Sequence, residues 1–251
     1  MEHTSHRKRS GTTAIGDIAC LNTHQIPAIL ISTTGFHCKV WQSTMLLIHN
    51  GGTKSIDYVV KKYNDPCSLR EVEILNRDYR EIKARLGEII PTAIFVATRV
   101  NGMEGVIAIA ETVYPWFNIA NPANEEEAIP LLGKLPKAQD QLELFLIAAR
   151  EWYTQHNAKI IDLYGLDNLI LDRNSQIKYI DSFSVFFYED LLYLCDEIDA
   201  ELQERINISL KRRDYLEYLL QQSRVRSWEQ PFKGAPPEVT GEVTAHRGSL
   251  T

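Results

Sequence analysis

Asn168 and Asp181 are two oxygen-bearing side chains at the ends of a segment that can bring them together. Between them lie two apolar, β-prone runs, residues 169–171 and 177–180, separated by the turn cluster Asp172-Arg173-Asn174-Ser175. This pattern predicts a β-hairpin, and pairing its strands carries both side chains to the same open end. Two adjacent oxygen ligands suit a hard cation such as Mg²⁺ when phosphate groups supply the rest of its shell. A plain surface hairpin that ends in Asp is the competing reading.

Other elements must position that pair. Residues 28–31, 37–48 and 56–63 read as three antiparallel strands, with a turn at Asn50-Gly51-Gly52. Ser68-Leu69-Arg70-Glu71 is a capping-box start. Leu69, Val72, Leu75, Tyr79, Ile82 and Leu86 follow at helical spacing before Gly87 closes the helix. Two further strands, 91–100 and 106–112, meet at Asn101-Gly102 and complete a five-stranded antiparallel sheet. Residues 139–156 predict a helix whose inward face is Leu142, Phe145, Leu146, Ala149 and Trp152 or Tyr153. Beyond Phe183 one helical region is readable, striped by Leu191, Leu194, Ile198, Leu202, Ile206 and Leu210 and continuing through Leu219. Residues 1–25 read as a mobile arm, and 226–251, rich in Pro and Gly, as a disordered tail.

Asn168-Leu169-Ile170-Leu171, nine further residues, and then Asp181-Ser182-Phe183 resembles the protein-kinase-like superfamily. In that family a catalytic-loop Asn and the Asp of an Asp-Phe-Gly motif hold the metal. The resemblance implies an α+β bilobal fold, with an N-lobe over 26–113, made of the five-stranded sheet and one helix, and a minimal, mostly helical C-lobe over 114–225. It also implies ATP and Mg²⁺ as ligands, with Asn168 and Asp181 on the metal. Tyr58-Val59-Val60-Lys61 resembles the kinase strand whose Lys pairs with the α- and β-phosphates, which selects Lys61. Strand alternation puts Lys62 on the opposite face. Thr33-Thr34-Gly35-Phe36-His37-Cys38 is similar to the nucleotide-covering loop, with Gly35 kept and the flanking glycines replaced. Glu111-Thr112-Val113 falls where a kinase hinge offers main-chain groups of Glu111 and Val113 to adenine. An acid on the helix, Asp78 or Glu71, is then expected to pair with Lys61, with Asp78 preferred because Glu71 serves the cap.

The same resemblance makes Asp162 the residue that orients the acceptor hydroxyl. Ile160 and Ile161 stand where kinases carry His and Arg, and five residues rather than four separate Asp162 from Asn168. A bulge at Gly165 returns Asp162 to the site; without it, Leu163 would take that position, and a register that pairs Asp162 with Asp167 spoils the hairpin match. In size, and in Asp162-Leu163-Tyr164, the chain is similar to small bacterial kinase-like proteins, including lipopolysaccharide core kinases.

Bulk properties narrow the field. The 251 residues are 44% hydrophobic, enough for a sizeable core, and the formal net charge of −6 gives no general attraction to nucleic acid. Cys20, Cys38, Cys67 and Cys195 lie far apart with no Cys-x-x-Cys pair, so free thiols in a reducing cytoplasm are expected. No apolar run reaches membrane-spanning length. Three functions stay open: a kinase acting on a small-molecule or protein hydroxyl acceptor, a pseudokinase that binds nucleotide or protein without catalysis, and an α+β protein with no nucleotide site.

Overall fold

β-prone runs at the start of the chain pair into one sheet. The structure is a computed structural model and describes residues 28–32, 38–49, 52–100, 102–193 and 199–229. The expected arm at 1–25, the loop holding Gly35, Cys20, Cys195 and the tail from 230 onward lie outside the described residues. Strands β1 (Ala28–Ser32), β2 (Cys38–His49), β3 (Gly52–Tyr63), β4 (Ala93–Val100) and β5 (Met103–Glu111) form a five-stranded antiparallel sheet in the order β1-β2-β3-β5-β4. Pairing β3 to β5 skips β4 and sets Lys61 opposite Val40 on one side and Ala108 on the other.

Helix α1 (Leu69–Leu86) packs against β4 and β5 of this sheet. Its start is a complete capping box: the Ser68 main-chain N–H donates to Glu71 Oε2 at 2.7 Å, while Glu71 N–H donates to the Ser68 hydroxyl. Such a cap contributes about 1 kcal/mol. The inward stripe is Val72, Tyr79, Ile82 and Leu86, with Leu75 half-buried. Leu69 was expected inside but is exposed, because first-turn residues precede the point where the helix meets the sheet. Val72 joins Cys38, Cys67, Val106, Ala108 and Phe183 in an apolar cluster beneath the sheet.

The remaining chain is helical with short strands. In order it holds β6 (Pro115–Phe117), α2 (Glu125–Leu132), α3 (Pro136–Tyr153), β7 (Lys159–Ile161), β8 (Leu169–Asp172), β9 (Ile177–Tyr179), β10 (Phe186–Tyr188) and α4 (Ala200–Glu229). β8 and β9 form the expected hairpin, β6 adds to its other edge, and β10 pairs with β7. Helix α3 begins and ends three residues earlier than its periodicity suggests, since Pro136 is well placed in a first turn where no N–H is needed. Its buried face is Leu142, Phe145, Leu146, Ala149 and Trp152 as read from the sequence, and Tyr153 is only half-buried. The single helical region expected after Phe183 is instead β10, a 3-10 helix (Glu189–Tyr193) and α4. Helix α4 runs to Glu229, past the expected end of the folded part at 225. Tyr79, Ile82 and Leu86 of α1 meet α2, α3, α4 and β7–β10 in the largest core cluster, so α1 is packed on both sides.

Candidate functional site

The β8–β9 hairpin is fixed at both ends. At the turn, Asp172 Oδ1 accepts from Asn174 N–H at 2.8 Å and Gln176 N–H at 2.9 Å, and Ser175 takes φ 58°. All four residues of β8 are buried, so the hairpin is no surface ribbon. At the open end Ile180 N–H donates to Asn168 O at 2.8 Å, which places Asn168 beside the residue that precedes Asp181.

Lys61 reaches this end from the sheet. Its ammonium donates to Ile180 O at 2.5 Å and to Ser182 Oγ at 3.1 Å, the two residues that bracket Asp181. Neither Asp78 nor Glu71 meets it, which corrects the expected ion pair. Asp78 is 5% exposed and accepts from Arg77 Nη2 and from the Tyr188 hydroxyl, both at 2.8 Å, because it faces β10. Glu71 is held by the cap. Among the described residues Lys61 makes no ion pair.

Asp181 and Asn168 each keep an oxygen unused. Asp181 Oδ1 accepts from Ser182 N–H at 2.7 Å and Phe183 N–H at 3.3 Å, while Oδ2 has no hydrogen-bond partner among the described residues. Asn168 Nδ2 donates to Asp162 O at 3.1 Å, and its Oδ1 likewise has no partner there. Two unpaired oxygens at one hairpin mouth fit a hard cation that draws its other ligands from phosphate. No group of three or more His, Cys, Asp or Glu that could hold a metal occurs among the described residues, so protein side chains alone do not make a closed cage.

Asp162 sits at the start of the loop that returns to Asn168. Its carbonyl accepts from Asn168 Nδ2 and from the buried Tyr179 hydroxyl at 3.0 Å. Its carboxylate Oδ1 accepts from Tyr164 N–H at 2.7 Å. The side chain is buried, and burial followed by the nearby negative charge of Asp181 pushes its carboxyl up to about 7, against the pull of Tyr164 N–H, Arg205 and Arg212. At Gly165 a Cβ would stand 2.4 Å from Asn168 Oδ1, so a larger residue there would displace the Asn168 side chain. The loop between Asp162 and Asn168 closes in a turn in which Asn168 N–H donates to Gly165 O at 3.3 Å. Lys61 and Asp181 both act electrostatically on Cys38, whose thiol is pushed up to about 11, mainly by burial.

No protein-family model matches the chain, and no curated protein does.

Some of the groups around this site have no sequence signal. Helix α4 braces the Asp162 loop: Ser209 Oγ accepts from Leu163 N–H at 3.1 Å, and Arg212 donates to Leu163 O at 2.5 Å and to Tyr164 O. A serine and an arginine on a polar helix look like any solvated face, and only the approach of α4 to the loop gives them work. Phe183 is fully buried between Tyr63 and Phe95, with ring centroids 5.2 and 5.7 Å away. Ser184, the next residue, takes a left-handed conformation at φ 51°. Of the expected adenine-facing groups, Glu111 N–H is already used by Thr92 O at 2.8 Å. The Val113 main chain has no hydrogen-bond partner among the described residues. Gly35 lies outside them.

Proposed function

We propose that this chain is an ATP- and Mg²⁺-dependent phosphotransferase of the protein-kinase-like superfamily that acts on a hydroxyl acceptor. The observation that carries the reading is the Lys61 ammonium, which crosses 119 and 121 positions of sequence to the two residues flanking Asp181. Residues 26–113 serve as the N-lobe and 114–225 as the C-lobe, with the nucleotide between them.

In this reading Lys61 lies against the α- and β-phosphates, and Asn168 Oδ1 and Asp181 Oδ2 hold the metal. The metal, when bound, neutralises charge on the phosphate oxygens. Asp162 orients the acceptor hydroxyl, and a carboxyl titrating near 7 is suited to take up a proton at neutral pH. Phosphoryl transfer depends chiefly on positioning and charge stabilisation, and a lysine, two oxygen ligands and one carboxylate suffice for both. The main-chain groups of Val113 are free to meet a base, whereas Glu111 can offer only its carbonyl.

A second reading, a pseudokinase that binds nucleotide without transfer, is favoured by one observation. Lys61 has no acid on α1 to hold it, since Asp78 is turned to Arg77 and Tyr188. Thermal shift and calorimetry with Mg-ATP on the wild type and Asp181→Ala test the shared site. Binding in the wild type and its loss in the variant are expected, and equal binding in both rejects the site. Single-turnover consumption of ATP then separates enzyme from module: slow hydrolysis abolished by Asp162→Ala supports transfer, and binding with no hydrolysis supports the pseudokinase.

A further inference from the structure

A hollow of about 410 Å³ is lined by residues 111–114, the segment that the nucleotide reading gives to adenine, and by none of Lys61, Asp162, Asn168 or Asp181. That volume falls within the range of small-ligand sites. Three cations line it: Lys83 from α1, Lys178 from β9 and Arg173 from the hairpin turn. None forms an ion pair with a described carboxylate. Lys83 donates to Ile90 O at 2.6 Å and Lys178 to Glu88 O at 2.8 Å, so two ammoniums converge on carbonyls two residues apart with neutral partners only. Each retains two N–H donors. Arg173 lies 5.1 Å over the Tyr114 ring, its guanidinium edge unclaimed among the described residues.

The acids on the same wall are occupied. Asp172 is consumed by the turn, Glu111 accepts from Thr92 N–H at 3.3 Å, and Glu88 faces Lys137 at 3.9 Å. Thr112, which also lines the hollow, has a buried Oγ1 with no hydrogen-bond partner among the described residues. A buried hydroxyl without a partner is rare and calls for a ligand or ion to satisfy it. Glu88, Glu111 and Asp172 balance the three cations in formal charge, so the case for a ligand is the cations' spare N–H donors and the unpartnered Thr112 hydroxyl, which a compact anion can satisfy as acceptor.

We propose that this hollow is a second ligand site that binds a compact phosphate-bearing anion through Lys83, Lys178 and Arg173. It stands on the hollow and its cations alone, whatever binds at Lys61. Inorganic pyrophosphate, titrated calorimetrically in magnesium-free buffer into the full chain, is the probe. One saturable site is expected, weakened at least tenfold in Arg173→Gln and in Lys178→Met, and unchanged in Lys61→Met. Arg173 is exposed, and methionine keeps the stem of Lys178, so both variants are expected to fold. Absence of binding, equal binding in Arg173→Gln and Lys178→Met, or binding lost only in Lys61→Met overturns the proposal. A supported hollow with no Mg-ATP binding at Asp181 would leave this site standing while the kinase reading fell.

Discussion

Asp162→Asn isolates what it costs the fold to bury one carboxylate. The Asp162 side chain is 4% exposed, and its carboxyl titrates at about 7 rather than 3.8. In the unfolded chain it ionises near pH 4, whereas in the folded protein it keeps its proton until about pH 7. Between those values the folded state binds more protons, so stability falls as pH rises through the window and levels off above it. At 1.36 kcal/mol per tenfold change in proton concentration, the whole loss is about 4 kcal/mol, of which about 2 kcal/mol falls between pH 5 and pH 7. Asparagine preserves the shape and the oxygen that accepts from Tyr164 N–H, but it cannot ionise. Urea unfolding of both proteins at pH 5, 6, 7 and 8, in magnesium-free buffer, measures the difference directly. The gap should move toward the variant by about 2 kcal/mol from pH 5 to pH 7 and by only a few tenths of a kcal/mol more by pH 8. Parallel pH profiles would refute the premise that this carboxylate is destabilised by burial and by Asp181.

Other perturbations test the frame around the site. Gly165→Ala puts a Cβ at 2.4 Å from Asn168 Oδ1, and its nearest atoms all belong to that side chain, so the Asn side chain swings away; urea unfolding should change little, while most of any thermal shift with Mg-ATP should be lost. Tyr188→Phe removes one of the two partners of the buried Asp78 and should cost about 1–3 kcal/mol, with a smaller loss in the double variant that also carries Asp78→Asn. Burial pushes the Cys38 and Cys67 thiols to about 11, so at pH 8 both are protonated. In a background with Cys20 and Cys195 replaced by serine, Ellman's reagent should react only at the rate of unfolding.

The sheet was legible because its strands announce themselves by alternation and by turn residues at both connections. Helix α1 was legible because the capping box and Gly87 mark its ends. The elements that escaped reading are three or eight residues long: β6, α2, β7 and β10. A three-residue strand has no period to detect, and α2 carries Pro130 inside a helix of one apolar face, a residue that reads as a breaker. Each of these short pieces is held by neighbours distant in sequence, as when β10 pairs with β7 through Phe186 opposite Ile161.

The site divides along the same line. Asn168 and Asp181 could be paired because the hairpin carries both to one end. Alternation left Lys61 and Lys62 on opposite faces, and only the resemblance of the strand selected Lys61, whose ammonium meets Ile180 O and Ser182 Oγ beside Asp181. The partner of Lys61 could not be chosen, because helix spacing offers Asp78 and Glu71 on one flank without saying what lies opposite. Opposite Asp78 is the Tyr188 hydroxyl, 110 residues away, and one turn on, Glu81 takes Lys159 at 2.7 Å. These two links tie α1 to β10 and β7 while leaving Lys61 to a main-chain carbonyl and a serine hydroxyl. A rotation of α1 would therefore break Asp78 from Tyr188 and Glu81 from Lys159 before it disturbed Lys61. The Lys61 main chain is fixed between β2 and β5, and only its ammonium is held by the segment that carries Asp181. A shift of residues 180–182 would therefore break those two hydrogen bonds and change the distance between the charges.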